Sequence, residues 1–101
     1  MKKLVISKKS EKVISDIVDI LYYAVDWADG HIGDYKIGIL EGAAFTASCV
    51  MCQQLNFTWG IDTSVVMDFM KLENLPSKKK INKRVRAFIK NECVLEGITK
   101  L

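Results

Sequence analysis

The sequence has one proline, one histidine and three cysteines in 101 residues, and each scarcity excludes a class of protein. Little proline, beside a hydrophobic fraction of 50%, excludes a disordered or low-complexity chain. A single histidine excludes a metal motif with two histidines and leaves a catalytic triad with no alternative base. An odd number of cysteines argues against a disulfide framework, so we expect a reducing, cytoplasmic environment.

Long apolar runs are also scarce. The longest, residues 37–50, is interrupted by Glu41 and is shorter than the roughly 20 residues that a membrane-spanning helix requires. We interpret it as part of a buried helix and expect no membrane partner. Glycine-rich phosphate loops and nucleophile elbows are absent from the sequence as well. We therefore predict a protein that is not an enzyme, needs no cofactor and works by binding.

The remaining pattern predicts an all-α fold, because apolar residues recur at a spacing of three to four through most of the chain. We expect residues 1–101 to form one compact bundle of about four helices, with residues 1–9 as a short strand or a flexible arm. Helix one runs from an N-cap at Ser10 to residues 29–30, and helix two from an N-cap at Asp34 to about Gln54. Because helix two is apolar nearly all round, we expect it at the centre of the bundle.

A short helix three follows, with Asp62 or Thr63 as its N-cap, and it stops at residues 74–76. Helix four begins after Ser77 and ends at Gly97, because glycine is typical of the position that follows a helix. Its core side is expected to carry these apolar residues: Ile81, Val85, Phe88, Ile89 and Leu95.

The polar side of helix one alternates carboxylates with aromatic rings. Asp19, Tyr23 and Asp26 lie on it, with Tyr22 at its edge and Trp27 at the border of the apolar arc. Tyrosine and tryptophan are common anchors of protein interfaces, so we interpret these five residues, the acidic-aromatic face, as a candidate partner-binding surface. A solvated acidic face is the alternative interpretation.

Helix four carries a row of cations opposite its apolar residues. Lys79, Lys83, Arg86 and Lys90, here called the cationic ridge, recur at i, i+4, i+7 and i+11. The net charge is +6 over residues 77–101 and −7 over residues 13–76, so the ridge belongs to a strongly basic part of the chain. It predicts binding to nucleic acid or to an acidic partner, while lysines on a solvated helix face are the simplest interpretation.

A few further side chains are candidates for chemistry. Cys49 and Cys52 lie on adjacent turns of helix two, as two zinc ligands would, but only Cys93 and His31 are left to complete a site. We interpret the cysteines as buried and structural, predict no metal, and place His31 in a surface loop. Glu41 interrupts the apolar residues of helix two, and a general acid is one interpretation of it; we expect instead that its carboxylate reaches solvent or pairs with a lysine.

No motif of a known family can be placed residue by residue on this sequence. In its length, lysine content and polarised charge the chain resembles the small helical accessory proteins of phages and other mobile elements, many of which are stoichiometric inhibitors. The resemblance implies a regulatory protein that inhibits a protein partner by occupying it. The apolar arc of helix one and the small residues Gly38 and Gly42 further predict self-association as a dimer. Nucleic-acid binding by the cationic ridge is the alternative.

Overall fold

The computed structural model describes residues 3–57 and 61–101. Within these ranges the chain forms four α-helices, so the predicted all-α bundle is confirmed. The helices are α1 (Lys8–Ala28), α2 (Gly33–Gln54), α3 (Thr63–Met70) and α4 (Lys78–Glu96), and a short 3-10 helix (Leu72–Asn74) lies between the last two. No helix in the described parts of the chain combines the length and apolar character needed to cross a membrane.

The first helix begins earlier than predicted, and Ser10 is not its N-cap. Ser7 has extended backbone and its Oγ accepts a hydrogen bond from the backbone N–H of Ser10 at 3.1 Å. Either serine offers a hydroxyl of the kind that caps helices. Capping at Ser7 adds almost one turn and leaves the small side chain of Ser10 buried against the core.

The start of the second helix also differs from the prediction. Ile32 occupies the N-cap position and makes no side-chain hydrogen bond there, while Gly33 adopts a φ of +65°. That left-handed conformation is readily accessible only to glycine, so the turn geometry decides where the helix begins. Asp34, predicted as the N-cap, lies instead in the first turn, where its carboxylate meets the positive end of the helix dipole.

The helices pack as a closed ring of neighbours: α1 contacts α2 and α4, and α3 also contacts α2 and α4. The second helix is therefore flanked by two others, but it is not surrounded by them as predicted, because Ile37 and Phe45 remain exposed. The physical reason is length: α3 has 8 residues and cannot cover the 22 residues of α2. Gly38 and Gly42 lie on this open side, where an added Cβ atom would meet nothing within 4 Å.

The third helix is shorter than predicted. Its N-cap is Asp62, whose Oδ1 accepts a hydrogen bond from the backbone N–H of Ser64 at 2.8 Å, as expected. It ends at Met70, because Lys71 adopts the left-handed conformation with a φ of 51°. The chain then continues as the 3-10 helix, which accounts for the helical spacing of Leu72 in the sequence.

The fourth helix has the predicted caps. Ser77 Oγ accepts a hydrogen bond from the backbone N–H of Lys80, and Gly97 ends the helix with a φ of 70°. The assignment of Leu95 to the core is wrong, since its side chain is exposed. Leu95 lies one heptad after Phe88 at the edge of the buried arc, and each heptad drifts about 20° around a straight helix. Cys93 occupies the core position instead.

An N-terminal arm, residues 3–7, lies beside the last residues of the chain. Val5 pairs with Lys100 in a single parallel bridge, and its N–H and carbonyl bond to Thr99 and Leu101 at 2.9 and 2.8 Å. Leu4 is half-buried and Val5 is exposed, as in a strand with one covered side. Of the two alternatives for this segment, the ordered strand-like arm is therefore correct for residues 3–7; residues 1 and 2 lie outside the described residues.

Candidate functional site

Two rings of the acidic-aromatic face are strongly exposed. Tyr23 and Trp27, one turn apart on α1, have 62% and 63% of their surface open to solvent. Tyr22 is half-buried and meets Tyr23 edge to face, with 5.5 Å between the ring centroids. The helix thus places the predicted aromatic residues together at the surface, where they are accessible to a partner.

The aromatic row continues beyond α1, which the sequence analysis missed. The ring of Trp27 stacks on that of His31 at 6.4 Å, and His31 contacts Tyr35 in α2 at 4.5 Å between centroids. Tyr35 is 60% exposed. The four rings recur every four residues from Tyr23 to Tyr35, but the link between the helices is not helical, so this spacing does not by itself place them together. His31 lies in the link, as predicted, and its ring belongs to an aromatic cluster.

An exposed isoleucine extends this cluster. Ile32, in the link between α1 and α2, is 89% exposed and is the most exposed large apolar residue among those described. A cluster of this kind is unusual on a monomer surface, where large apolar groups are normally scattered. We define the aromatic surface as the following residues: Tyr23, Trp27, His31, Ile32 and Tyr35.

One end of the acidic-aromatic face is already occupied by a lysine of the same chain. Lys78, in the first turn of α4, approaches Asp19 with 3.1 Å between Nζ and Oδ1. Its ammonium also lies 5.5 Å from the ring centroid of Tyr22 and 6.0 Å from that of Tyr23. The hydrogen bond to Asp19 and the charge of that carboxylate raise the pKa of Lys78. Asp19, predicted as a partner-binding residue, is thus engaged within the chain, whereas Asp26 is exposed.

The cationic ridge is divided between two roles. Lys79, Lys83 and Lys90 are exposed, as predicted. Arg86 is directed toward α1, where its two terminal nitrogens donate to the carboxylate of Glu11 at 2.9 and 3.3 Å. The ridge thus offers three accessible ammonium groups, and its arginine is committed to holding α4 against α1.

The thiols, the histidine and Glu41 are the other side chains that the sequence offers for chemistry. In residues 3–57 and 61–101, no three groups of the metal-ligating types lie close enough to hold an ion. Burial, with Glu96 and Glu92 adding to it, raises the pKa of the Cys93 thiol. Cys49 and Cys52 are only half-buried, so the prediction of buried cysteines is confirmed for Cys93 alone.

Glu41 and Ser48, which share a side of α2, are separated by their environments. Glu41 is exposed, in agreement with the expectation that its carboxylate reaches solvent. Ser48 is buried and its Oγ donates a hydrogen bond to the backbone carbonyl of Ile61. The serine hydroxyl therefore anchors the segment before α3, and the two side chains do not form an acid–hydroxyl pair.

Two cavities stand apart from the aromatic surface. One, of about 620 Å³, lies beside α3, and four of its nine lining residues are carboxylates, among them Glu41 and Asp62. The other, of about 450 Å³, lies beneath the N-terminal arm, and its lining is more apolar. Its walls combine isoleucine and leucine side chains with cations of α4 and of the arm.

Comparison with family models, with curated proteins and with solved structures finds no match to this chain.

Proposed function

We propose that this protein binds a protein partner through the aromatic surface and regulates that partner, as an inhibitor would, by occupying it. The observation that carries the proposal is the joint exposure of Tyr23, Trp27 and Tyr35, each at least 60% open to solvent, with the rings of Trp27 and Tyr35 both in contact with that of His31. Exposed tyrosine and tryptophan anchors dominate the binding energy of many protein interfaces. Trp27 and Tyr35 are joined through the ring of His31, and Tyr23 lies one helical turn before Trp27, so these rings are placed to act together at the centre of one interface.

The size of the rings indicates how much binding they supply. Burying their exposed parts removes on the order of 360 Å² of largely apolar surface from water, which is worth roughly 9 kcal/mol before the costs of association. Those costs are about 4–15 kcal/mol. Stable interfaces bury about 1,200–2,000 Å² in total, so the three rings cannot form the whole interface, and Ile32 with the neighbouring polar groups must contribute to a stable complex.

The charge around the aromatic surface favours a partner that carries lysine or arginine. Asp26, Asp29 and Asp34 are all exposed near the α1–α2 link. The contact of Lys78 with Asp19 and two tyrosine rings is an example, within the chain, of how a cation packs on this face. A basic, partly apolar segment of the partner would repeat that arrangement beside Trp27.

A truncation series tests the proposal. Trp27→Ala and Tyr35→Ala remove one ring each, and Leu95→Ala is a matched control because Leu95 is an exposed apolar residue of α4. The tagged protein and each variant are used to capture partners from the source cells, with quantification by mass spectrometry and direct titration of the purified partner. We expect the partner to be retained by Leu95→Ala and lost, by tenfold or more in affinity, in Trp27→Ala. Equal retention by all three variants would exclude the aromatic surface.

We further propose that the open side of α2 forms a dimer with a second copy. Ile37 and Phe45 are exposed there, beside two glycines that allow another backbone to approach closely. Phe45→Glu should convert the dimer to a monomer in light scattering, whereas Glu41→Gln, a change on the same side that leaves the apolar residues in place, should not. A wild-type protein that is monomeric at high concentration would refute the dimer.

Nucleic-acid binding by the cationic ridge is the second candidate, because Lys79, Lys83 and Lys90 are exposed on one side of α4 and none of them has an ion-pair partner within the described residues. Each phosphate that a lysine neutralises contributes about −0.9 to the slope of log K against log salt on duplex DNA. If the ridge binds DNA, Lys83→Glu must reduce that slope by about one. An unchanged slope eliminates this candidate.

A further inference from the structure

The cavity beneath the N-terminal arm has an apolar interior. Leu4 and Ile6 of the arm form one wall, and Ile14 of α1 and Ile89 of α4 lie opposite. Successive side chains of the extended arm point to opposite sides, so Leu4 and Ile6 face the cavity and are half-buried, while Val5 points to solvent. Three separate segments thus contribute aliphatic side chains to one space of about 450 Å³, within the range of about 300–1,000 Å³ that is typical of ligand sites.

The polar groups of this cavity are all cationic. Lys3, Arg86 and Lys90 are among its lining residues, and no carboxylate is. Glu11 offsets much of the charge of Arg86, because its carboxylate accepts hydrogen bonds from both terminal nitrogens of the arginine. The two lysines have no ion pair within the described residues. The cavity therefore offers an apolar interior beside unneutralised positive charge.

We propose that this cavity binds an amphipathic anion: a free carboxylic acid with a medium-length, unbranched apolar tail. The tail packs against Leu4, Ile6 and the two isoleucines of the helices, and the carboxylate lies between Lys3 and Lys90. Charge complementarity selects an anion over a neutral or cationic amphiphile, because a cationic head group would be repelled by both lysines. The site is separate from the aromatic surface and does not depend on the function proposed for it.

Binding at this position also holds the arm in place. The ligand touches the arm, α1 and α4 together, and the arm is otherwise attached through backbone hydrogen bonds between residues 5–7 and residues 99–101. The amides of Val5, Ser7 and Leu101 donate those bonds. Occupancy should therefore slow the hydrogen exchange of these three amides, because a ligand that binds only the form with the arm paired stabilises that form.

The experiment uses sodium decanoate below its micellar concentration and the full-length protein, followed by methyl and amide NMR. We expect saturable shifts of the methyl signals of Leu4, Ile6, Ile14 and Ile89, with slower exchange at the Val5 and Leu101 amides. Acetate, which lacks the tail, and decyltrimethylammonium, which has the tail but the opposite charge, should not produce these shifts. Equal binding of the cationic amphiphile, or decanoate shifts confined to the aromatic surface, would overturn the proposal.

Two matched pairs of variants test the two halves of the site. Lys90→Glu should weaken decanoate binding about fivefold, as expected for an ion pair that is open to solvent, while Lys83→Glu, the same change one ridge position away from the cavity, should leave it unchanged. Leu4→Trp should block binding by filling the space, and Val5→Trp, on the outer side of the arm, should not. Retained protection of the Ser7 amide shows that the arm of Leu4→Trp is still paired. Equal effects within either pair would refute the assigned site.

Discussion

Arg86 of α4 and Glu11 of α1 form a bidentate ion pair, with 2.9 Å from Nη2 to Oε2 and 3.3 Å from Nη1 to Oε1, although they lie 75 residues apart in the sequence. The Nε of Arg86 also donates a hydrogen bond to Asn82 Oδ1 at 3.1 Å, which helps to orient the guanidinium toward the carboxylate. The pair fastens the start of α1 to the middle of α4. It also explains why a cation that belongs to the ridge by spacing is unavailable to a partner.

The strength of this pair can be measured with a double-mutant cycle of Arg86→Gln and Glu11→Gln in urea denaturation. Because the two side chains are 39% and 45% exposed, solvent screening limits the coupling, and we expect about 0.5–1 kcal/mol. Lys83→Gln, which removes an unpaired charge of the same ridge, should change stability far less. Additive single-variant effects would mean that the pair contributes no net stability.

The two serines at the start of α1 provide a test of the cap assignment. Ser7→Ala removes the hydroxyl that accepts from the Ser10 backbone N–H, and we expect it to lower the free energy of unfolding by about 1 kcal/mol. Ser10→Ala removes no cap and should have the smaller effect. A larger loss of stability in Ser10→Ala than in Ser7→Ala, measured by thermal or urea unfolding, would show that Ser10 is the N-cap.

Cys93 should make stability sensitive to alkaline pH. Burial raises its pKa above the ordinary value of 9.0, so the folded protein keeps this proton at pH values where the unfolded chain releases it. The contribution of the protonated thiol to the free energy of unfolding is fully present below the ordinary pKa. It is lost as the pH rises from that value through the raised pKa of the folded protein. Cys93→Ala should therefore flatten the dependence of unfolding free energy on pH as the pH rises above 9.0. An identical slope in the variant would contradict the assignment.

The reactivity of the thiols offers an independent check on the same burial. The thiolate is the reactive form, so Cys93 should be alkylated more slowly than the half-exposed Cys49 and Cys52 in the native protein. All three should react at similar rates in denaturant. Mass spectrometry of the labelled peptides separates the sites.

Two glycine-to-alanine substitutions distinguish effects on the stability of the fold from effects on the proposed dimer contact. Gly38→Ala lies in the interior of α2 with open space around it, so it should raise the free energy of unfolding of the monomer by about 0.5–1 kcal/mol. Gly33→Ala should lower it by about 1 kcal/mol, because the φ of +65° there disfavours any side chain. If a second copy packs on α2, Gly38→Ala will also weaken the dimer in light scattering despite its more stable fold. Unchanged dimerisation would place the contact elsewhere.

The parts of the fold that the sequence predicts are those set by local periodicity. Ile14, Ile17 and Leu21 repeat with the helical period, and all three are fully buried in α1. Helix ends were less predictable, because Ser7 and Ser10 have equal capping chemistry and the choice between them depends on which side chain the core receives. The end of α3 was not predictable either, because Lys71 adopts a left-handed conformation that residues other than glycine rarely take.

The candidate sites show the same division. Tyr23 and Trp27 could be placed on one side of α1 from spacing alone, whereas His31 and Tyr35 join them only because the α1–α2 link brings a second helix alongside. Pairing of Asp19 with Lys78 joins helices that are distant in sequence, and spacing within one helix carries no information about it. The cavity beneath the arm could not be predicted from the sequence either, because its walls come from the arm, α1 and α4, which meet only in the folded bundle.

The parallel bridge between Val5 and Lys100 spans nearly the whole length of the chain, and this has a kinetic consequence. A contact of such high sequence separation gains nothing until α1 and α4 have docked, because the entropy of closing so large a loop must first be offset by other contacts. We therefore expect the arm to pair with the C-terminal residues last during folding and to detach first during unfolding. The bonds between residues 5–7 and 99–101, rather than any helix, should then be the first to open in the native protein.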